Sequence, residues 1–177
     1  MSGSNLPPVR RIVTGHTPEG KAIVVDDAPI EQYPFRGSRT IFSDLFWTDA
    51  APAPNDIVFK DLTKDHPNEH CPSEGSSFKV SDIPPGQKSP FHRTVTFDYA
   101  VLTHGQLTLI LDDDKRVDLR PGDVVIQRGT IHAWHNEVCS ARFSAETFSF
   151  AASQKAKIGE TELEAEFRIP QFQATQK

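Results

Sequence analysis

Gly86-Gln-Lys-Ser-Pro-Phe-His92-Arg-Thr94-Val-Thr-Phe-Asp98 opens the stretch that decides the fold, and Gln127-Arg-Gly129-Thr-Ile-His132-Ala-Trp-His-Asn136 closes it. From Phe91 to Val101 the residues alternate with a period of two, the period of a strand. Phe91, Val95, Phe97, Tyr99 and Val101 fall on one face; His92, Thr94, Thr96 and Asp98 fall on the other. The apolar row is expected to pack. The polar row then lines an internal pocket or faces water, and the pattern fits both. His104-Gly105-Gln106 turns the chain, and Leu107 to Leu111 returns it as an apolar strand. Asp112 to Arg116 is a charged loop, and Val117 to Leu119 a short strand. In the turn Arg120-Pro-Gly-Asp123, proline sets φ and glycine admits a positive one. Val124 to Gln127 reads as a buried strand, Arg128-Gly129-Thr130 turns, and Ile131 to His135 is a further strand with His132 and Trp134 on one face. Folded together, these strands would bring His92, Asp98 and His132 to one small site.

Working outward, Ser76 to Ser81 begins the central region as a strand, and Ala141 to Phe150 closes its wall. Upstream, Arg10 to Thr14 and Lys21 to Asp26 form a hairpin around His16 to Gly20. Ser38 to Trp47 suits an extended segment, and Asp56 to Leu62 another short strand. Ala50 to Asn55 holds two prolines, which lack a donor and restrict the residues before them, so regular structure is excluded there. Thr63 to Gly75 is polar; Pro67 argues against a helix, so His66 and His70 are read as loop residues despite their i, i+4 spacing. Glu160 to Phe167 is expected to form a short helix. The chain divides into a disordered start at 1–8, strands and loops at 9–75 packing on a barrel, the barrel at 76–151, and a tail at 152–177. Short strands at this spacing make an all-β sandwich or barrel.

Composition narrows the function. The 177 residues make one domain, with 12 Phe as bulky core material and 14 Pro and 10 Gly favouring short elements and turns. A net charge of -5 and no Lys/Arg-rich patch disfavour nucleic acid as a partner. No apolar run approaches the ~20 residues of a membrane span, and the opening residues carry no signal-peptide core, so a cytoplasmic protein is expected. Cys71 and Cys139 lack zinc spacing and read as two free thiols.

The stretch from Gly86 to Asn136 resembles the two sequence motifs of the cupin superfamily. Gly86, His92, Thr94, Asp98 and Gly105 keep the spacing of the first motif; Gly122, Gly129, His132 and Asn136 fill the second, with Gln127 where a proline is usual. The resemblance implies a cupin-type jelly-roll barrel, a double-stranded β-helix. The whole chain, including Arg10 to His16, is similar to the VirC-like cupin-domain oxidoreductases of fungal polyketide pathways. That implies an oxidoreductase acting on a small, aromatic, salicylaldehyde-type intermediate of secondary metabolism. Cupins commonly dimerise, which implies a homodimer with the N-terminal hairpin as one contact.

Two departures bear on chemistry. Thr94 stands where metal cupins carry a second histidine, and Asp98 where they carry glutamate. His92, Asp98 and His132 remain, two imidazoles and a carboxylate, a set that suits Fe(II) or another divalent metal in a facial triad. The competing reading is a metal-free pocket in which Asp98 orients a histidine for acid/base work, giving a dehydratase, cyclase or isomerase. A non-catalytic small-molecule binder is the third. Thr94, Tyr99 and Trp134 are candidate substrate contacts, although threonines are also ordinary strand residues and large aromatics ordinary core.

Overall fold

The computed structural model describes residues 4–56, 58–138 and 143–168. In chain order, β1 (Arg10–His16) and β2 (Ala22–Pro29) form the expected N-terminal hairpin, followed by β3 (Tyr33–Pro34), β4 (Ile41–Thr48) and, after a long excursion, β5 (Ser76–Ile83). The central stretch supplies β6 (Phe91–Arg93), β7 (Thr96–His104), β8 (Leu107–Ile110), β9 (Arg116–Leu119), β10 (Val124–Arg128) and β11 (Ala133–His135). Then come β12 (Ser144–Ala152), β13 (Ala156–Ile158), β14 (Thr161–Leu163) and β15 (Glu166–Arg168).

Two sheets face each other. One is six-stranded, ordered β10-β7-β12-β5-β4-β3. The other runs β9-β8-β11, continues through the isolated bridges Lys88–His135 and His92–His132 to β6, and ends on β15. Ala100, Leu102, Phe148 and Phe150 of the first sheet pack with Leu107, Leu109, Leu119 and Trp134 of the second in one core cluster. Pairing between distant strands and burial between two sheets make this the jelly-roll expected from the sequence.

Local chemistry explains the corners. Gly105, at φ 81°, turns β7 into β8 and lies against Ser144, where a Cβ would come within 2.9 Å of the Ser144 backbone. Gly75, at φ 74°, ends the excursion from β4; a Cβ there would sit 2.2 Å from the Thr48 carbonyl oxygen. Both sites need glycine for its conformation and for its missing side chain.

Several expectations change. In β7 the polar row faces the interior and the aromatic row faces outward: Thr96 and Asp98 are buried, whereas Phe97 is 37% and Tyr99 48% exposed. The interior is polar at this point because it is a cavity, so the Phe and Tyr row is left outside. β10 is an edge strand, with Val124 and Ile126 exposed and only Gln127 fully inside, so it is not a buried strand. Asp56 to Leu62 carries no strand at its described residues, but leads into a single 3-10 turn at Leu62–Lys64 that Asp61 caps at the Thr63 N–H. The stretch read as a short helix is instead β14 and β15, because β15 finds a strand edge to pair with on β6. Cys71 is a free thiol whose pKa burial pushes up to about 11; Cys139 lies outside the described residues, as do 1–3 and 169–177. Among the described residues, no helix is long and apolar enough to cross a membrane.

Candidate functional site

His92 and His132 meet by register. Each donates its backbone N–H to the other's carbonyl, at 2.9 and 3.0 Å, so the two residues stand directly opposite on neighbouring chains. A hydrogen-bonded pair of this kind points both side chains to one face. That face is the interior, and the ring centroids lie 4.3 Å apart. His92 Nδ1 is 3.0 Å from the Pro90 carbonyl oxygen, and His132 Nδ1 is 3.0 Å from the Thr130 carbonyl oxygen. A carbonyl only accepts, so each Nδ1 carries the proton and each Nε2 is left with its lone pair. Burial lowers both pKa values, His132 to about 3, with mutual repulsion adding to the effect at His132. Both rings are therefore neutral at pH 7.

They line a cavity of about 430 Å³ that also reaches Asp98, His70, Trp134, Phe42, Phe150 and Phe167. Trp134 packs edge-on against His132, with centroids 5.6 Å apart, and lines the cavity. Phe167, delivered by β15, stacks on His92 at 5.5 Å. The walls are thus mainly aromatic, and the polar atoms are few, as small-molecule pockets require.

Asp98 enters from the facing sheet. Its carboxylate accepts from the Thr96 hydroxyl in a short contact and lies 3.5 Å from the Thr94 hydroxyl; Thr96 and Thr94 are themselves 2.7 Å apart. Desolvation raises the Asp98 pKa to about 6, against the two threonine contacts. These contacts define what Thr94 does. Its hydroxyl lies 3.5 Å from Asp98 and 2.7 Å from that of Thr96, which makes it a support for Asp98, and it is not among the cavity-lining residues. Tyr99 is outside altogether.

The donor set does not fit the facial triad. Two imidazoles present free Nε2 atoms from one sheet, but the carboxylate stands on the other and is turned to Thr94 and Thr96. Among the described residues, no group of three or more His, Cys, Asp or Glu side chains is placed to hold a metal ion. Asp98 lacks the methylene that glutamate would extend into the space, and Thr94 is too weak a donor to replace it.

His70 is the residue that the sequence hid. Nothing in its polar, proline-containing neighbourhood marks it, yet it lines the cavity, with its ring 5.8 Å from that of His92. Gln127 also comes inside, opposite Asp98 in register, and accepts from the Thr130 hydroxyl at 3.1 Å.

No protein-family model matches the chain. It is 32% identical over 138 residues to the cupin-domain-containing oxidoreductase fogC of Aspergillus ruber, across 75% of the chain and 66% of that protein. It is 32% identical over 129 residues to the cupin-domain-containing oxidoreductase virC of Hypocrea virens, across 71% and 66%. To oryzines biosynthesis cluster protein J of Aspergillus oryzae it is 32% identical over 141 residues, across 75% and 76%. The match therefore spans just under two thirds of the two oxidoreductases. Among solved structures, the cupin domain of Cnp3 from Schizosaccharomyces pombe superposes with a TM-score of 0.50 at 11% identity, covering 81% of this chain and 88% of that one, a likeness of fold.

Proposed function

This chain belongs to the cupin family, and on that footing we propose that it is an oxidoreductase of secondary metabolism acting on a small, polyketide-derived aromatic substrate of the salicylaldehyde type. One observation carries the reading: two neutral histidines, each locked with Nε2 as its acceptor, stand side by side in an aromatic cavity. The ligand that complements them is flat, to stack between Trp134 and the phenylalanines, and carries an O–H to give. The pair receives that hydrogen bond and takes the proton as the oxygen gains charge. The oxidoreductase names of fogC and virC support oxidation of a carbinol, in which the pair takes the O–H proton and the hydride on the same carbon passes to a two-electron acceptor from solution, and the name of the oryzines protein supports a biosynthetic setting.

A second reading is favoured by Asp98. With its carboxylate held by Thr94 and Thr96, the site is equipped for proton transfer alone, which suits a dehydratase, cyclase or isomerase. Salicyl alcohol and salicylaldehyde incubated with the purified protein in air, with and without an added two-electron acceptor (a nicotinamide or a quinone), followed by mass analysis, separate these readings. Oxidised product, absent with His92→Ala and with His132→Ala, is expected. A product of unchanged oxidation state moves the assignment to the second reading. Undiminished turnover in both variants would overturn both, and binding with no product would leave a ligand-binding module.

A further inference from the structure

We propose that Arg36 makes the mouth of this cavity a carboxylate site, so that the ligand is an aromatic acid which gives its O–H to the His92 and His132 pair and its carboxylate to Arg36 at the other end. The inference rests on the small-molecule reading above and adds a negative charge that nothing in that reading requires.

Arg36 sits at the tip of a tight loop, Phe35 to Thr40. The loop closes on itself: the Phe35 N–H donates to the Thr40 carbonyl at 3.2 Å, and the Ser38 N–H to the Phe35 carbonyl at 2.9 Å. Phe35 anchors it, with its ring 4.7 Å from Phe42 and 5.4 Å from His70. At the tip Arg36 adopts φ 47° and ψ 36°, the left-handed region that glycine or asparagine enters at less cost. The turn itself does not call for a long cation. Arg36 is exposed and yet lines the cavity, which puts it at the opening, within reach of what enters.

The guanidinium is uncommitted. Arg10, Arg11, Arg93, Arg116 and Arg168 each pair with a carboxylate. Arg36 has no such partner among the described residues. Its hydrogen bond is a long one, from Nε to the Asn68 carbonyl at 3.4 Å. Its Cζ lies over the Phe35 ring, 5.2 Å from the centroid, a contact that leaves both Nη groups on offer. The planar fork of an arginine matches the two oxygens of a carboxylate.

The cavity is also polarised from end to end. Of the described residues that line it, only Arg36 and Asp98 carry a formal charge, since burial keeps the histidines neutral. The two charges stand apart. That of Arg36 lowers the pKa values of His70 and Cys71 but bears on none of His92, His132 and Asp98. Contacts from Arg36 toward the pair run through the rings of Phe35 and His70. An anion held by Arg36 therefore escapes repulsion by Asp98, and the rings between cover an aromatic body. One cation matches one carboxylate; a phosphate dianion would leave a charge unmet.

The probes are para-hydroxybenzoate, para-hydroxyphenylacetate and para-hydroxyphenylpropionate, which lengthen the spacer stepwise, each against its neutral amide. Binding is measured by calorimetry on the wild type, Arg36→Gln, Arg36→Lys and His132→Phe, with the ¹⁵Nε signal of Arg36 followed in the wild type. The wild type should hold the best-fitting acid about tenfold more tightly than its amide, the size of one charge-assisted hydrogen bond at a wet site. Added salt should shrink that margin. Arg36→Gln should bring the acid down to the amide and leave the amide unchanged, while Arg36→Lys should keep part of the margin. His132→Phe should weaken acid and amide alike. The Arg36 signal should shift with the acid and not with the amide. No acid preferred over its amide, a preference that survives in Arg36→Gln, or an Arg36 signal unmoved by a bound acid overturns this proposal; amide binding that is weakened in His132→Phe then leaves the reading of the pair intact. If the wild type binds neither acids nor amides, both fall. The Arg36 signal needs no variant, so a misfolded substitution does not spare the proposal.

Discussion

At the scale of single residues, the interior is unusual for its protons. Glu146 is fully buried on β12, in register between Ser81 and Leu102, and neither carboxyl oxygen has a hydrogen-bond partner in the protein. Burial holds its pKa well above the ordinary value, so the fold keeps a proton that the unfolded chain releases. Stability is then lost as pH rises above the unfolded value of about 4.5. Glu146→Met, of similar volume, should raise stability by about 1–3 kcal/mol at pH 8 and by less at pH 5. Urea titrations at the two pH values test this, and a variant weaker at pH 8 would refute it. The histidines act with the opposite sign. His70 and His132 are brought to about 3 in the fold, and His92 is also lowered, so the unfolded chain takes up protons first. For His70 and His132 the contribution is complete above pH 6.5 and is lost as pH falls from 6.5 toward 3, on the order of 1.4 kcal/mol per histidine per pH unit. Asp98, raised to about 6, and Glu146, raised well above its ordinary value, oppose them with one proton each, so His70, His132 and the lowered His92 leave only a small excess. The expected outcome is a modest fall in denaturation midpoint from pH 7 to 5, flattened or reversed by His70→Phe. An unchanged slope in that variant would show that His70 titrates normally.

At the scale of elements, the sequence was legible wherever a local rule was in force. Gly86, Gly105, Gly122 and Gly129 all adopt positive φ at the turns that their neighbours announced, and the strands between them fall close to their expected bounds. His92 and His132 were legible because motif spacing puts them in register. Three things were not. The period of β7 gave two faces but not their sense; inside and outside are decided by the cavity, which is made by other strands. The pairing of β15 with β6 joins residues more than seventy positions apart, and no pattern within Glu160 to Phe167 encodes it. His70 is placed by the excursion between β4 and β5, whose course is fixed at its ends. The Asp61 cap and Arg11, which reaches both Asp61 and the Leu45 carbonyl at 2.9 and 3.1 Å, hold one part of it. Gly75 holds the other, under the Thr48 carbonyl. Gly75→Ala should therefore cost several kcal/mol, on the order of 3, because it combines a strained φ with a backbone clash. Thermal unfolding measures the loss. A shift of under a degree would mean that the loop has room to give.

At the scale of the whole molecule, the site belongs to neither sheet. The histidine pair is set by β6 and the approach to β11, Asp98 by β7, and Phe150 by β12, while His70 and Phe167 arrive from outside the two central motifs. The N-terminal hairpin lies on its own chain through Arg11 and leaves the outer face of β7 and β10 uncovered, with Phe97, Tyr99, Val124 and Ile126 exposed. That inverted strand has a consequence for how the chain finds its pairing. A slip of β7 by one position would carry Phe97 and Tyr99 into the core and return Thr96 and Asp98 to water, an exchange that hydrophobic burial by itself rewards. The native alignment thus lives beside a rival that is greasier inside and blind to any ligand. What rejects the rival is the company β7 keeps: it is clamped between β10 and β12 along nearly its whole length, so a slip must break both ladders at once. A polar patch in this mainly aromatic pocket is a choice of alignment, made by neighbours against the preference of the strand itself.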